Sequence, residues 1–306
     1  MPYGQNKMVN FFSIVIYALW AKGKNKFKQF LKIGSKNISL GNQLETRRIM
    51  IQKKKIPISL LLILLLSSFS LPPKTKLSIV FIGDSITFGA GLGTPVSYAP
   101  PVHECSYLLQ QAKYRDVEIS NQGLSGKTTL DFLPLTGKYF NNVIKAADLF
   151  YKDKEGTLVF SIMLGTNDSA IKGPHGAPVA PQDYQTNLKA IADSLLTAYP
   201  ECKIIINYPV WYSPTTYNTS KYLQEGLDRL QFYFPQIDAL VAGYAINNKG
   251  HVFVGDKLAF AWFKKNFQTE LIPEQGQEGI FYLHPNRKGA ATLGIFWGKA
   301  ISKVIN

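Results

Sequence analysis

Apolar and polar positions fall in alternating blocks along residues 77–306. Leu77 to Ile82 (LSIVFI) is an almost wholly apolar run stopped by Gly83, the pattern of a strand covered on both faces in a parallel sheet. Val117 to Ser120 predicts a second short strand. Thr157 to Leu164 (TLVFSIML), stopped by Gly165, predicts a third, and Lys203 to Asn207 (KIIIN) a fourth. Ile237 to Val241 is a weaker fifth. Helix-compatible stretches lie between them, near His103 to Lys113, Tyr139 to Phe150, Gln182 to Ala198 and Lys221 to Tyr233. Lys288 to Val304 reads as a closing amphipathic helix. Strands alternating with helices predict an α/β fold: a three-layer α/β/α sandwich around a mostly parallel five-stranded sheet, in one domain over residues 77–306. In such sheets ligands bind at the carboxyl ends of the strands, and the polar clusters of this chain follow those ends.

The N-terminal part has a different pattern. From Met50, Lys53, Lys54 and Lys55 precede an apolar stretch, Ile56 to Leu66, and then the small-x-small site Ser68-Phe69-Ser70. That is the arrangement of a secretory signal peptide over residues 50–70. The uninterrupted run Leu60 to Leu66 is shorter than the roughly 20 apolar residues a bilayer span needs. Export to the periplasm or the exterior is expected, with no membrane anchoring of the mature form. Residues 1–49 then read as a mis-called upstream extension or an unstructured leader. A membrane-surface helix over Phe11 to Trp20, followed by Lys22, Lys24, Lys26 and Lys28, is the alternative.

Charge changes meaning once it is divided along the chain. The formal net charge is +14, but residues 1–76 hold fourteen Lys/Arg against the single acid Glu45, and the remainder is nearly neutral. A nucleic-acid surface needs cations clustered on the folded face, so no nucleic-acid partner is expected. Cys105 and Cys202 are the only cysteines; a disulfide and two buried thiols both fit them. With no C-x-x-C or H-E-x-x-H, no metal or other cofactor is expected.

The chemistry-bearing residues sit at the predicted strand ends. Gly83-Asp84-Ser85 follows the first strand, Gly123 lies in the loop after the second, Gly165-Thr166-Asn167-Asp168 follows the third, and His284-Pro285-Asn286 precedes the last helix. Taken singly, each has an ordinary reading as a turn, cap or packing residue. As an ordered set, G-D-S, a loop Gly, G-x-N-D and a late His, they resemble the four blocks of the GDSL/SGNH hydrolase family over essentially all of residues 77–306. The resemblance implies a flavodoxin-like SGNH fold and a carboxylic ester hydrolase with Ser85 as nucleophile and His284 as base. It also implies an oxyanion hole from the Ser85 N–H, the Gly123 N–H and the Asn167 side chain. Asp84 and Asp168 are read as structural.

The chain departs from that family at one position. Relatives carry D-x-x-H, and Phe281 stands where the Asp would orient the imidazole. A Ser-His dyad, with a main-chain carbonyl or water on His284, is the favoured expectation; Glu278 is next, then Glu274 and Asp256 if the loop folds back. Trp211 and Tyr212, in the segment Pro209 to Tyr217, and His175, in Gly173 to Pro178, are candidates for binding substrate. Export, this polar aromatic segment and the lack of a long apolar lid point to an acylated glycan that loses small O-acyl groups, acetyl foremost. Lysophospholipase or arylesterase activity, or a non-catalytic carbohydrate-binding domain, are the alternatives.

Overall fold

The computed structural model describes residues 74–136, 138–152 and 155–305; the readings for residues 1–49 and 50–70 lie outside them. Five parallel strands, β1 (Thr75–Gly83), β2 (Tyr114–Asn121), β3 (Gly156–Met163), β4 (Lys203–Ile206) and β5 (Val252–Val254), form one sheet in the order β2-β1-β3-β4-β5. From Leu77 to Gly83 every residue of β1 is buried. Both of its faces are therefore covered, as its unbroken apolar run requires.

The flanking helices are α1 (Ser85–Phe88), α2 (Pro95–Tyr98), α3 (Pro100–Leu109), α4 (Phe140–Tyr151), α5 (Pro181–Ala198), α6 (Leu223–Asn247), α7 (Ala259–Glu270) and α8 (Arg287–Val304). Trp297 of α8 stacks on Phe81 of β1 with ring centroids 6.1 Å apart. Helix α8 also lies directly on α3: a Cβ at Gly294 would stand 2.4 Å from the Pro100 carbonyl oxygen and 2.7 Å from the Glu104 nitrogen. Only a residue without a side chain permits that approach.

Four of the predicted strands form where expected, and the fifth does not. Ile237–Val241 lies inside α6, whose buried residues Leu227, Leu230, Tyr233, Ile237, Leu240 and Tyr244 recur at helical spacing. Pro235 sits within this helix, which continues past it to Asn247. The fifth strand is instead the three-residue β5, too short to stand out from its surroundings. Beyond α7, an antiparallel hairpin of β6 (Leu271–Gly276) and β7 (Gly279–Pro285) was also not anticipated. Cys105 and Cys202 are both free thiols, and the Cys105 thiol donates to the Val117 carbonyl.

The turn after β3 is held by a buried acid. Asp168 accepts from the Thr129 N–H at 3.0 Å and from the Thr129 hydroxyl, and Asn187 donates to that hydroxyl at 2.9 Å. Burial pushes the Asp168 carboxyl up to about 7, against the pull of the Thr129 bonds. The folded protein therefore holds a proton there that the unfolded chain has released above its ordinary value near 4. The stabilising contribution is complete below pH ~4 and is lost as pH rises towards ~7. In Asp168→Asn the decline of melting temperature across this window should become shallower than in the parent, as followed by thermal denaturation at several pH values.

Candidate active site

Strand β1 ends in a turn with no space to spare. A Cβ at Gly83 would lie 2.8 Å from the Met163 carbonyl oxygen and closer still to Thr87. Asp84 then caps α1, its carboxylate accepting from the Ile86 N–H at 2.9 Å. Burial raises the Asp84 carboxyl to about 6, opposed by that N–H and by the charge of His284. Its Oδ1 is committed to this cap, and the next residue, Ser85, takes the first helical position. An N–H at that position has no intrahelical acceptor.

The Ser85 hydroxyl lies 3.0 Å from Nε2 of His284, a contact between residues at opposite ends of the domain's sequence. His284 is on β7, and its Nδ1 is 2.8 Å from Oε1 of Glu274 on β6. The expected carbonyl or water on His284 is therefore replaced by a carboxylate, and that carboxylate is not Glu278, which lies exposed in the turn between the two strands. Asp256 is also engaged elsewhere, accepting from the Leu258 and Ala259 N–H groups at the start of α7. Phe281, at the position where relatives carry Asp, is buried, and its direct register partner across the hairpin is Glu274. The acid has thus crossed from one strand of the hairpin to the other. The strands are joined by the two residues Gln277-Glu278, with Gly276 paired with Gly279 at φ 89°; the flanking glycines were the only local cue, because Gln-Glu is not among the residue pairs that two-residue hairpin turns favour.

Gly123 lies in the loop after β2 and Asn167 in the turn after β3. A Cβ at Gly123 would meet the Phe88 nitrogen at 2.5 Å and the Thr87 carbonyl carbon at 2.9 Å, so glycine is what lets this loop lie against α1. Its N–H donates to Oδ1 of Asn121 at 2.9 Å, while Asn121 Nδ2 donates to the Thr87 carbonyl at 2.8 Å. The buried Asn167 amide has two protein partners. Nδ2 donates to the Lys127 carbonyl at 3.0 Å, and Oδ1 accepts from the Tyr222 hydroxyl at 2.7 Å.

The aromatic segment after β4 is part of the frame rather than a sugar platform. Tyr212 is fully buried with its hydroxyl on Ser169 Oγ at 2.9 Å, and Trp211 is buried against Phe267. Neither ring has a free face for a ligand. The backbone around them instead holds the hairpin: Ser213 N–H donates to the Tyr282 carbonyl and Ser213 Oγ accepts from the Tyr282 N–H, both at 2.8 Å. Thr215 donates to the Ile280 carbonyl at 3.0 Å. His175 is exposed; its Nδ1 is 3.3 Å from Asp131, and its carbonyl accepts from Thr128. Among the described residues no group of three His, Cys, Asp or Glu side chains is placed to hold a metal ion.

Residues 81–292 match the sequence profile of the GDSL-like Lipase/Acylhydrolase family. No curated protein matches the chain. Among solved structures, an alpha/beta hydrolase enzyme from the metagenome of Lake Arreo, Spain, is similar at 18% identity and TM-score 0.50, covering 77% of this chain and 98% of that one. A carbohydrate acetylesterase from Sinorhizobium meliloti is similar at 17% identity and TM-score 0.46, with 74% and 99% covered. An acetylxylan esterase from Geobacillus stearothermophilus is similar at 17% identity and TM-score 0.48, with 77% and 97% covered. With its profile match spanning more than half of its length, the chain belongs to the GDSL-like lipase/acylhydrolase family and is a carboxylic ester hydrolase.

Proposed function

We propose that this protein is an exported serine esterase that removes small O-acyl groups, acetyl foremost, from carbohydrate. The observation that carries the catalytic part is the continuous chain Ser85 Oγ, His284 Nε2, His284 Nδ1, Glu274 Oε1. A serine hydroxyl is a weak nucleophile until a base accepts its proton. A carboxylate on Nδ1 holds the imidazole with that nitrogen protonated, so that Nε2 presents its lone pair to Ser85. Ser85 Oγ then attacks the acyl carbon while Nε2 takes the proton. The tetrahedral oxyanion collapses, the alcohol leaves with that proton, and water repeats the sequence to release the free acid.

The oxyanion needs donors that are already in place. Ser85 supplies an N–H at the first position of α1. Asn167 supplies the Nδ2 hydrogen that the Lys127 carbonyl does not take. Gly123 contributes as a shared donor, because its N–H also faces Asn121 Oδ1.

The carbohydrate part rests on the export pattern of residues 50–70 and on exposed His175, which can bond a sugar hydroxyl. Trp211 and Tyr212 no longer support it. A specific observation favours a second reading, an aryl or alkyl ester: Phe88, in the same short helix as Ser85, is 41% exposed. A binding module without catalysis is disfavoured by the complete Ser-His-Glu chain.

Acetate release from a panel of acetylated glycans, set beside p-nitrophenyl acetate, tests the substrate class. Release from the aryl ester with none from any glycan would replace the carbohydrate reading with the second one. Ser85→Ala should lower kcat by about 10⁴-fold or more and abolish labelling by a fluorophosphonate. Glu274→Gln is expected to lower kcat by roughly 10²- to 10⁴-fold, and Glu278→Gln to leave it within about twofold. Steady-state kinetics of the two Gln variants decide which acid serves His284, since an unaffected Glu274→Gln enzyme means that the imidazole needs no carboxylate.

A further inference from the structure

An asparagine that stabilises an oxyanion has to present nitrogen, not oxygen, to the reacting carbonyl. A rotation of 180° about its last bond exchanges the two at almost no cost in shape. Something in the protein must break that symmetry. At Asn167 one partner is the Lys127 backbone carbonyl, which can only accept, so Nδ2 faces it. The other is the Tyr222 hydroxyl, 2.7 Å from Oδ1. Asn167 and Tyr222 are both only 3% exposed, so water does not readily substitute for either.

Tyr222 is itself rigidly seated. Its N–H donates to the Thr216 carbonyl at 3.2 Å, and its ring meets Tyr212 edge-on with centroids 5.5 Å apart. Tyr212 in turn is tied through Ser169 Oγ to the Thr166 carbonyl, in the turn that carries Asn167. Burial and the nearby Asp84 charge push the Tyr222 phenol well above its ordinary range, so it keeps its proton at neutral pH.

We infer that Tyr222 is a positioning residue for catalysis: the Lys127 carbonyl selects the Nδ2 end of the amide, and by donating to Asn167 Oδ1 on the other side Tyr222 locks the amide plane and holds the second Nδ2 hydrogen towards the oxyanion. The inference rests on the reading of Asn167 as an oxyanion donor. Donation to Oδ1 also draws electron density from the amide nitrogen, which makes its N–H a stronger donor. Without the hydroxyl, Oδ1 becomes a buried acceptor lacking a partner, a costly state that favours turning the amide away. The segment that looked like a sugar platform then acquires a different task. It seats Tyr222 through the Thr216 carbonyl and the Tyr212 ring, and holds the His284 hairpin through Ser213.

The test is a double-mutant cycle of Tyr222→Phe and Asn167→Ala on the full chain with p-nitrophenyl acetate, kcat being taken per Ser85 titrated by a fluorophosphonate so that unfolded protein does not count. Asn167→Ala alone should lower kcat by about 10²- to 10³-fold. Tyr222→Phe alone should lower kcat by about 10- to 100-fold while KM stays within about threefold, the mark of an interaction made in the transition state. Added to Asn167→Ala, it should cost less than about twofold more, because there is no longer an amide to orient. A Tyr222→Phe enzyme with parental kcat overturns the inference, as does an undiminished loss in the Asn167→Ala background, which would mean that Tyr222 acts on the fold generally. If Asn167→Ala itself leaves kcat unchanged while Ser85→Ala abolishes it, the oxyanion role of Asn167 falls and this inference falls with it, but the esterase reading stands.

Discussion

The burial of β1 on both faces is the constraint on which the site depends. A strand with apolar side chains above and below can leave the interior only at its end, and here it does so through Gly83, pressed against Thr87 and the Met163 carbonyl. Neighbouring β3 runs parallel and in register beside it up to Met163, so its own exit, Gly165 to Asp168, emerges at the same edge. Two carboxylates, Asp84 and Asp168, are spent on fixing these exits, capping a helix and holding a loop. Their burial raises both carboxyls. Ser85, the proposed nucleophile, and the Asn167 amide are thus placed by backbone that has little freedom to move.

His284, the proposed base, comes from a less constrained part of the molecule. His284 is on a two-stranded hairpin outside the main sheet, and two strands alone are only marginally stable in water. The hairpin is held from one side by the segment after β4, through Ser213 and Thr215. At its end, the Asn286 N–H donates to the Glu270 carbonyl, and Asn286 Oδ1 caps α8. Those bonds fix the imidazole over Ser85. Buried aromatic rings between β4 and α6 also reach the turn after β3, through Tyr212 to Ser169 and Tyr222 to Asn167. One stretch of chain therefore braces both the base and the proposed oxyanion donor.

The position of the acid shows how a local pattern and a spatial requirement can part. The chemistry asks for a carboxylate at Nδ1 of His284, whatever its place in the sequence. Because Phe281 and Glu274 are register partners, a carboxylate lost from one strand is recovered from the facing position on the other. The buried Phe281 ring packs where a charged side chain would otherwise require a partner.

Much of the fold was legible in the sequence because its strongest signals are local. Largely apolar runs ending in glycine marked β1 and β3, helical periodicity marked α5 and α8, and Gly83-Asp84-Ser85, Gly123, Asn167 and His284 marked the strand ends at which a site is expected. Periodicity over a few residues did not distinguish the three-residue β5 from the apolar stripe of α6, since both present short apolar groups. Only the tertiary structure decided which acid meets His284, because hairpin register joins residues that sequence spacing keeps apart. It also decided that Trp211 and Tyr212 face inward: an aromatic residue has the same letter whether it lies under a ligand or under the backbone, and only packing determines which.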